Sequence, residues 1–312
     1  MLMKKSLLVA GLFLAMLCAG CSGNNSNTPA TGNDAAGISA DTVTPEINAT
    51  ATPITTPEPT ATATPAPTAT PEPTATPAPT ATPEPTPTLA LIAEKEWDVS
   101  DVDISDISPD DKLVAFTFDD GPTENYEVLL DTLKEYGMHA TFFVWGNRYS
   151  DKYHDVMLRV INEGNEFGNH TWSHPYLTKI STDEILEEIE KTRSLLEEIT
   201  GKREFLVRPP YGSANADVKA NVYFPMINWS LDSNDWNNGT YESVYEKLTE
   251  KVQDGDIILM HASYKFTADA VRDAIPVLIE KGYRIVSVSQ LCAARGKVLK
   301  ANAAPLGMRI TG

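Results

Sequence analysis

The chain has 312 residues and a formal net charge of -18. That acidity argues against nucleic acid as a partner and against an electrostatic grip on anionic lipid. Its three cysteines, Cys18, Cys21 and Cys292, do not suggest a disulfide framework.

Lys4 and Lys5 precede the apolar run "SLLVAGLFLAML", which ends in "CAGC". A charged start, a short apolar stretch and small residues before a cleavage point describe a signal peptide over 1–20. The run is too short for a comfortable membrane span. Ala19-Gly20-Cys21 resembles a bacterial lipoprotein cleavage box, with Cys21 as the lipidated first residue and the usual leucine displaced by one position to Leu17. An ordinary secretory signal and an uncleaved anchor are the alternatives. Each version places the remainder outside the cytoplasm, held to membrane lipid or secreted. With Cys18 removed and Cys21 acylated, only Cys292 is left, so no cysteine-based metal site can form. Cys292 lies in the apolar "VSVSQLCAA" and reads as a buried structural thiol.

Residues 21–94 are low in complexity, with "TPEPTATPAPTATPEPTPT" repeating Thr-Pro without apolar periodicity. Such a segment cannot bury enough surface to offset its ordering entropy. Its prolines favour polyproline II, which at about 3.1 Å per residue gives a reach on the order of 200 Å. We expect a disordered tether or stalk.

The remainder, 95–312 with a core over 112–293, has the size of one domain. Strand and helix signals alternate along it. "KLVAFTFDD" reads as a strand and "ENYEVLLDTLKEYGM" as an amphipathic helix; "HATFFVWGN" is a second strand, and a helix follows over 150–164. "NEFGNH" is a short third strand. "STDEILEEIEKTRSLLEEITG" is a helix with a capping-box pattern at Ser181 and Glu184 and Gly201 at its end. "REFLVRPP", "PMINWSLD" and "DIILMH" supply strands four to six, with helices near 240–253 and 266–281, and "YRIVSVSQL" reads as the last strand. The alternation implies a parallel sheet, open or closed into a barrel. The tail "CAARGKVLKANAAPLGMRITG" has no assigned role.

In such folds catalytic groups collect at the carboxyl ends of strands. Five polar clusters fall there: Asp119-Asp120 after strand one, His170 after strand three, Arg208 to Gly212 after strand four, Asp232 and Asp235-Trp236 after strand five, and His261 on strand six. An apolar strand that ends in two adjacent carboxylates raises a question, because like charges repel and burial worsens the repulsion. A turn is the ordinary reading of Asp-Gly-Pro. "HTWSH" spaces His170 and His174 by four, which on a helical turn projects both imidazoles to one side and suits a shared metal. Two histidines and one carboxylate form an open metal site. One aspartate of the pair would be the third ligand and the other a base, with the cation neutralising the repulsion. Arg208 can hold the catalytic carboxylate, and a backbone N–H at Tyr211 can face an oxyanion. Asp232 or Asp235 can be a cap or the partner that raises the pKa of His261, a candidate general acid. His139 and His154 read as structural or surface residues. Ser287 and Ser289 fall in a strand pattern without a nucleophile elbow, and there is no phosphate loop or dinucleotide fingerprint.

"TFDDGP", "HTWSHP", "RPPYG", "DSNDW" and "IILMH", in this order, resemble the five motifs of the NodB-type polysaccharide deacetylases, carbohydrate esterase family four. The resemblance covers 112–293. It implies an α/β fold, a distorted (β/α) barrel of about seven parallel strands. It also implies a divalent metal, zinc first with cobalt, manganese or nickel as alternatives, and hydrolysis of acetyl groups on an acetylated polysaccharide. Carried over by motif, Asp119 is the general base, and Asp120, His170 and His174 are the metal ligands. Arg208 positions the base, the Tyr211 N–H helps to hold the oxyanion, and Asp235 tunes His261, the general acid. Tyr211, Trp236, Leu259 and Pro210 contact substrate. Ala262 departs from the pattern, since many members have Asp or Ser there. The expected reaction is N-deacetylation of a cell-surface polymer, peptidoglycan first, by a monomer. An O-acetyl-xylan esterase or chitooligosaccharide deacetylase is the second reading, and an inactive wall-binding module the third.

Overall fold

The computed structural model describes residues 96–108 and 110–311. The expected signal peptide, the lipidation site at Cys21 and the Thr-Pro tether lie outside them.

Seven strands form one sheet: β1 (Lys112–Gly121), β2 (Thr141–Val144), β3 (Glu166–Asn169), β4 (Leu206–Val207), β5 (Leu231–Asp232), β6 (Asp256–His261) and β7 (Tyr283–Val286). The order is β4-β3-β2-β1-β6-β5, with β7 also pairing β1, and every pairing is parallel. The helices are α1 (Tyr126–Glu135), α2 (His154–Asn162), α3 (Thr182–Thr200), α4 (Ala216–Asn221), α5 (Tyr241–Glu246), α6 (Lys265–Glu280) and α7 (Val288–Ala294). Parallel neighbours require crossovers, and helices supply them.

β1 shows why its sequence is apolar throughout. Val114, Phe116 and Phe118 pack in the cluster that holds the buried faces of α1, α2, α5 and α6. Leu113 and Ala115 point to the other side and meet Phe143, Leu206, Ile257 and Val286, with Val288, Leu291 and Cys292 of α7 beneath. Both faces are buried, which favours apolar side chains on each and allows a polar one only where it is hydrogen-bonded. The strand period of two then puts Thr117 and Asp119 in line with Leu113 and Ala115, on the interior side. Cys292 is buried, as expected.

α3 begins at the expected Ser181 capping box, in which Ser181 accepts from the Glu184 N–H and Glu184 from the Ser181 N–H. Gly201 closes it in the left-handed region. Three expectations need correction. The fifth strand is not continuous over 225–232. Only Leu231–Asp232 pairs with β6, while Met226 bridges to Val207 and Ile227 to Leu306 of the C-terminal tail. The carbonyls of Ile227 and Asn228 instead accept hydrogen bonds from the Arg208 guanidinium. The last strand stops at Val286, and the residues after it form α7, because Ser287 and Gln290 make a reciprocal capping box. A capping box therefore outweighs the alternating apolar pattern of "VSVSQL". The His170–His174 segment is not a helical turn but a loop with Thr171 and His174 both at positive φ.

The tail also has a place. Leu306 pairs with the 226–228 segment, and the Ile310 N–H donates to the Gly255 carbonyl at 2.8 Å. It thereby fills the side of the barrel where β4 and β5 are not joined by a ladder.

Candidate active site and metal site

The carboxyl end of β1 separates its two aspartates. In the ladder with β2 the register shifts between Phe118 and Gly121, and Asp120 has φ 67°. This local twist sends neighbouring side chains to different partners. The next residue must be glycine, because a Cβ on Gly121 would lie 1.8 Å from the Tyr126 hydroxyl.

Asp119 is enclosed. Arg208 Nη1 lies 2.7 Å from its Oδ1 and 2.7 Å from Thr117 Oγ1, the residue two places back on the same face. Arg208 is itself fully buried, with its guanidinium 4.1 Å over the Phe143 ring. Its guanidinium donates to four oxygens: the Ile227 and Asn228 carbonyls, Thr117 Oγ1 and Asp119 Oδ1. Burial pushes the Asp119 carboxyl above its ordinary value, and the positive charges of Arg208 and His261 oppose that push.

Asp120 faces His170 and His174. Its Oδ1 is 3.7 Å from His170 Nε2 and 3.6 Å from His174 Nε2, and three donor atoms of this set lie within 4.8 Å of one another. Those separations are too long for hydrogen bonds. They suit ligands of one ion, since donors about 2.1 Å from a shared divalent cation stand about 3–3.6 Å apart. Asp120 Oδ1 is buried and has no hydrogen-bond partner among the described residues, a costly state unless a cation takes it. Both imidazoles are ready to bind a metal. Burial pushes His170 down to about 3 and also lowers His174, so both stay neutral near pH 7. His170 Nδ1 lies 2.7 Å from the Arg208 carbonyl, which fixes the tautomer that leaves Nε2 for the ion. The donor set therefore fits a divalent metal.

The loop that carries the histidines is tied from below. Asn169 Oδ1 accepts from the Thr171 N–H at 2.8 Å, Thr171 Oγ1 accepts from the His174 N–H at 3.1 Å, and Glu188 of α3 accepts from Trp172 and Ser173.

On the other side of β1, Asp119 stands in register with His261 of β6. Asp235 Oδ1 lies 2.7 Å from His261 Nδ1, and its Oδ2 accepts from the His261 N–H and from Thr267 Oγ1. Burial opposes a charged imidazole, but the Asp235 hydrogen bond and the nearby carboxylates outweigh it and raise His261 to about 9. Of the two aspartates that spacing alone leaves open, the structure brings Asp235 to the histidine, the one that the motif resemblance implies. Asp232 instead accepts from the Asn234 N–H and the Trp236 indole.

Tyr211 sits in the turn after Arg208-Pro209-Pro210, at φ 59°, with its ring 4.8 Å from His174. Pro210 and Leu259 are buried, and Trp236 is half-exposed at the rim. His139 and His154 lie apart, hydrogen-bonded to Gln290 and Tyr149. Ala262 is buried beside the site, its N–H donating to the Asp119 carbonyl at 2.9 Å. Sequence reasoning missed Trp145, Arg148, Tyr176, Glu188 and Thr267. None of them stands in a spaced motif; they reach the site only through packing.

A family model described as polysaccharide deacetylase matches residues 106–223, which hold Asp119, Asp120, His170, His174, Arg208 and Tyr211. A peptidoglycan-N-acetylglucosamine deacetylase of Bacillus cereus is 33% identical over 195 residues, covering 60% of this chain and 91% of that protein. This chain belongs to the polysaccharide deacetylase family. Another family relative, the peptidoglycan-N-acetylmuramic acid deacetylase PdaC of Bacillus subtilis, is 41% identical over 186 residues, 59% of this chain but 40% of PdaC. The chain thus spans about two fifths of the length of that curated relative. The solved structure of PdaC superposes with a TM-score of 0.59 at 40% identity, covering 61% of this chain and 95% of that one. A family 4 acetyl xylan esterase from Clostridium thermocellum, solved with a cobalt ion, gives a TM-score of 0.61 at 31% identity, covering 64% of this chain and 100% of that one.

Proposed function

We propose that this chain removes N-acetyl groups from amino sugars of peptidoglycan by hydrolysis, releasing acetate. One observation carries the reading. The unpartnered Asp120 oxygen and two neutral histidines form a metal-ready triad, flanked by an arginine-bound Asp119 on one side and an aspartate-bound His261 on the other. The likeness to peptidoglycan deacetylases supports the polymer.

Asp120, His170 and His174 would hold the metal, for which zinc is our first choice. When bound, the ion supplies Lewis-acid polarisation of the acetyl carbonyl and acidifies a water. Asp119, held by Arg208, accepts the proton of the attacking water. The Tyr211 N–H faces the developing oxyanion. His261 protonates the departing nitrogen, and Asp235 keeps it charged until then. The amide and one water become a free amine and acetate. Trp236, Leu259, Pro210 and Tyr211 line the place of the acetyl group and its sugar. We further propose that the protein works outside the cytoplasm, attached to membrane lipid through Cys21 and extended on the Thr-Pro tether, as a monomer.

The acetyl xylan esterase likeness supports a second reading, removal of O-acetyl groups from xylan. The test is acetate release by the purified protein, with and without zinc, on peptidoglycan, chitooligosaccharides and acetylated xylan, with Asp119→Asn as control. Metal-dependent release from peptidoglycan alone is expected. Release from xylan alone establishes the second reading, and no release from any polymer by metal-loaded protein overturns both.

A further inference from the structure

The two histidines of the metal-ready triad are held in different ways. His170 is fixed from behind by the Arg208 carbonyl. A histidine ligand normally has its second ring nitrogen anchored in this manner. Among the described residues, no hydrogen bond fixes the His174 ring. Its backbone is also in the left-handed region, at φ 61°, where a non-glycine residue is held only by its surroundings.

A row of side chains supplies those surroundings. The Trp145 indole stacks on the His174 imidazole with ring centres 4.8 Å apart and planes 28° apart. The Arg148 guanidinium lies 4.3 Å from the centre of the Trp145 ring. Tyr211 meets His174 edge-on at 4.8 Å, Tyr176 stacks on Tyr211 at 3.7 Å, and the Lys179 ammonium lies 4.1 Å over Tyr176. Trp145 and Tyr176 thus each have a cation within reach of the ring quadrupole. Arg148 does a second thing. Its Nη1 donates to the Asp120 carbonyl at 3.0 Å and to Ser263 Oγ at 2.9 Å. One guanidinium thus touches both the backbone of the carboxylate ligand and the ring that packs the imidazole ligand.

We propose that Trp145, backed by Arg148, is a positioning residue that fixes the His174 imidazole for metal binding, as the Arg208 carbonyl fixes that of His170. The inference rests on the metal-site reading above. Flat contact with an indole stops the imidazole from turning about its ring bond, which a hydrogen bond would otherwise prevent. The ligand is then aimed before the metal arrives, and less ordering entropy is lost on binding.

The test is metal affinity, read without any substrate. The full chain, stripped of metal, is titrated with Co2+ and followed by visible absorption, and Zn2+ affinity is read by competition. Trp145→Leu is expected to weaken Co2+ binding roughly tenfold, the lower end for loss of a residue that orients a ligand. Trp145→Phe, which keeps a ring there, is expected to recover most of that loss. Tyr211→Leu, at a half-exposed position that does not threaten the fold, is expected to lose less in the same direction. It decides the matter if Trp145→Leu does not fold. Wild-type affinity in folded Trp145→Leu overturns the proposal, as does wild-type affinity in Tyr211→Leu where Trp145→Leu does not fold, and so does equal weakness of the folded Phe and Leu variants. Failure of the wild-type protein to bind Co2+ overturns the metal-site reading as well, which separates the two.

Discussion

Two carboxylates of this domain are pushed up by burial at opposite ends of the barrel. Asp119 ends β1 at the carboxyl rim, and Glu166 begins β3 at the amino rim. Glu166 is fully answered by neutral donors. It accepts from Thr141 Oγ1 at 2.6 Å, from the Ser289 N–H at 3.2 Å and from the Ser289 hydroxyl, which also accepts from Trp97. Val288 donates to Thr141 Oγ1, so this network pins the start of α7 beneath the barrel. At the carboxyl rim the network is open. Asp119 has a cation, its neighbour Asp120 has a lone oxygen, and His170 and His174 converge on that oxygen at 3.7 and 3.6 Å without a hydrogen bond. A raised carboxyl is thus common to a structural brace and a candidate site. Unsatisfied convergent ligands, and not the shift, tell them apart.

The largest expected effect separates the two ends directly. Asp119→Asn should cut acetate release by about 10²–10⁴-fold while the protein stays folded, the range for loss of a general base. Retained activity would remove Asp119 from that role. Next is the buried pair itself. Arg208→Met leaves the Asp119 charge without its counter-ion and should cost about 3–5 kcal/mol in denaturant unfolding. A loss well under 1 kcal/mol would mean that Asp119 is protonated in the native protein.

The pH profile sharpens the comparison further. His261 rises from 6.5 to about 9, so the descending limb of kcat/KM should lie near pH 9. Asp235→Asn should bring it back toward 6.5. The sign for stability is the same: this pairing contributes fully below pH 6.5 and is lost as the pH rises through about 9. A limb unmoved by Asp235→Asn would assign it to another group. The smallest effect belongs to the amino rim. Glu166→Gln should cost about 1 kcal/mol, because the amide oxygen keeps the bonds from the Thr141 hydroxyl and the Ser289 N–H and only the bond from the Ser289 hydroxyl is lost, and it should leave acetate release unchanged. A tenfold loss of activity would break the contrast between the two ends.

Much of the site was legible because its ligands sit at strand ends, and strands announce themselves. The uninterrupted run of β1 and the apolar β6 place Asp119 and His261 on one rim, and parallel pairing then puts them in register across 142 residues. The capping box of α3 was legible for a similar reason, since each of its bonds is local. α7 carried the same kind of signal at Ser287 and Gln290, but an alternating apolar pattern hid it. The fifth strand failed for the opposite reason. Its pattern is sound, yet distant groups claim its backbone: Arg208 takes two carbonyls, and Leu306 takes the edge.

The sequence by itself determined the alternation of elements, the rim on which the polar residues gather and the identity of the carboxylates and histidines there. These follow from periodicity and spacing, which are local. Only the tertiary structure decided the contacts themselves: the two bonds from Asp235 to His261, the backbone turn by which Asp119 and Asp120 part, and the packing of His174 against Trp145. Those depend on a left-handed residue, a register shift and packing between segments far apart in the chain. No short-range pattern encodes them, because the energy that selects them comes from burial and from hydrogen bonds made after the chain has closed.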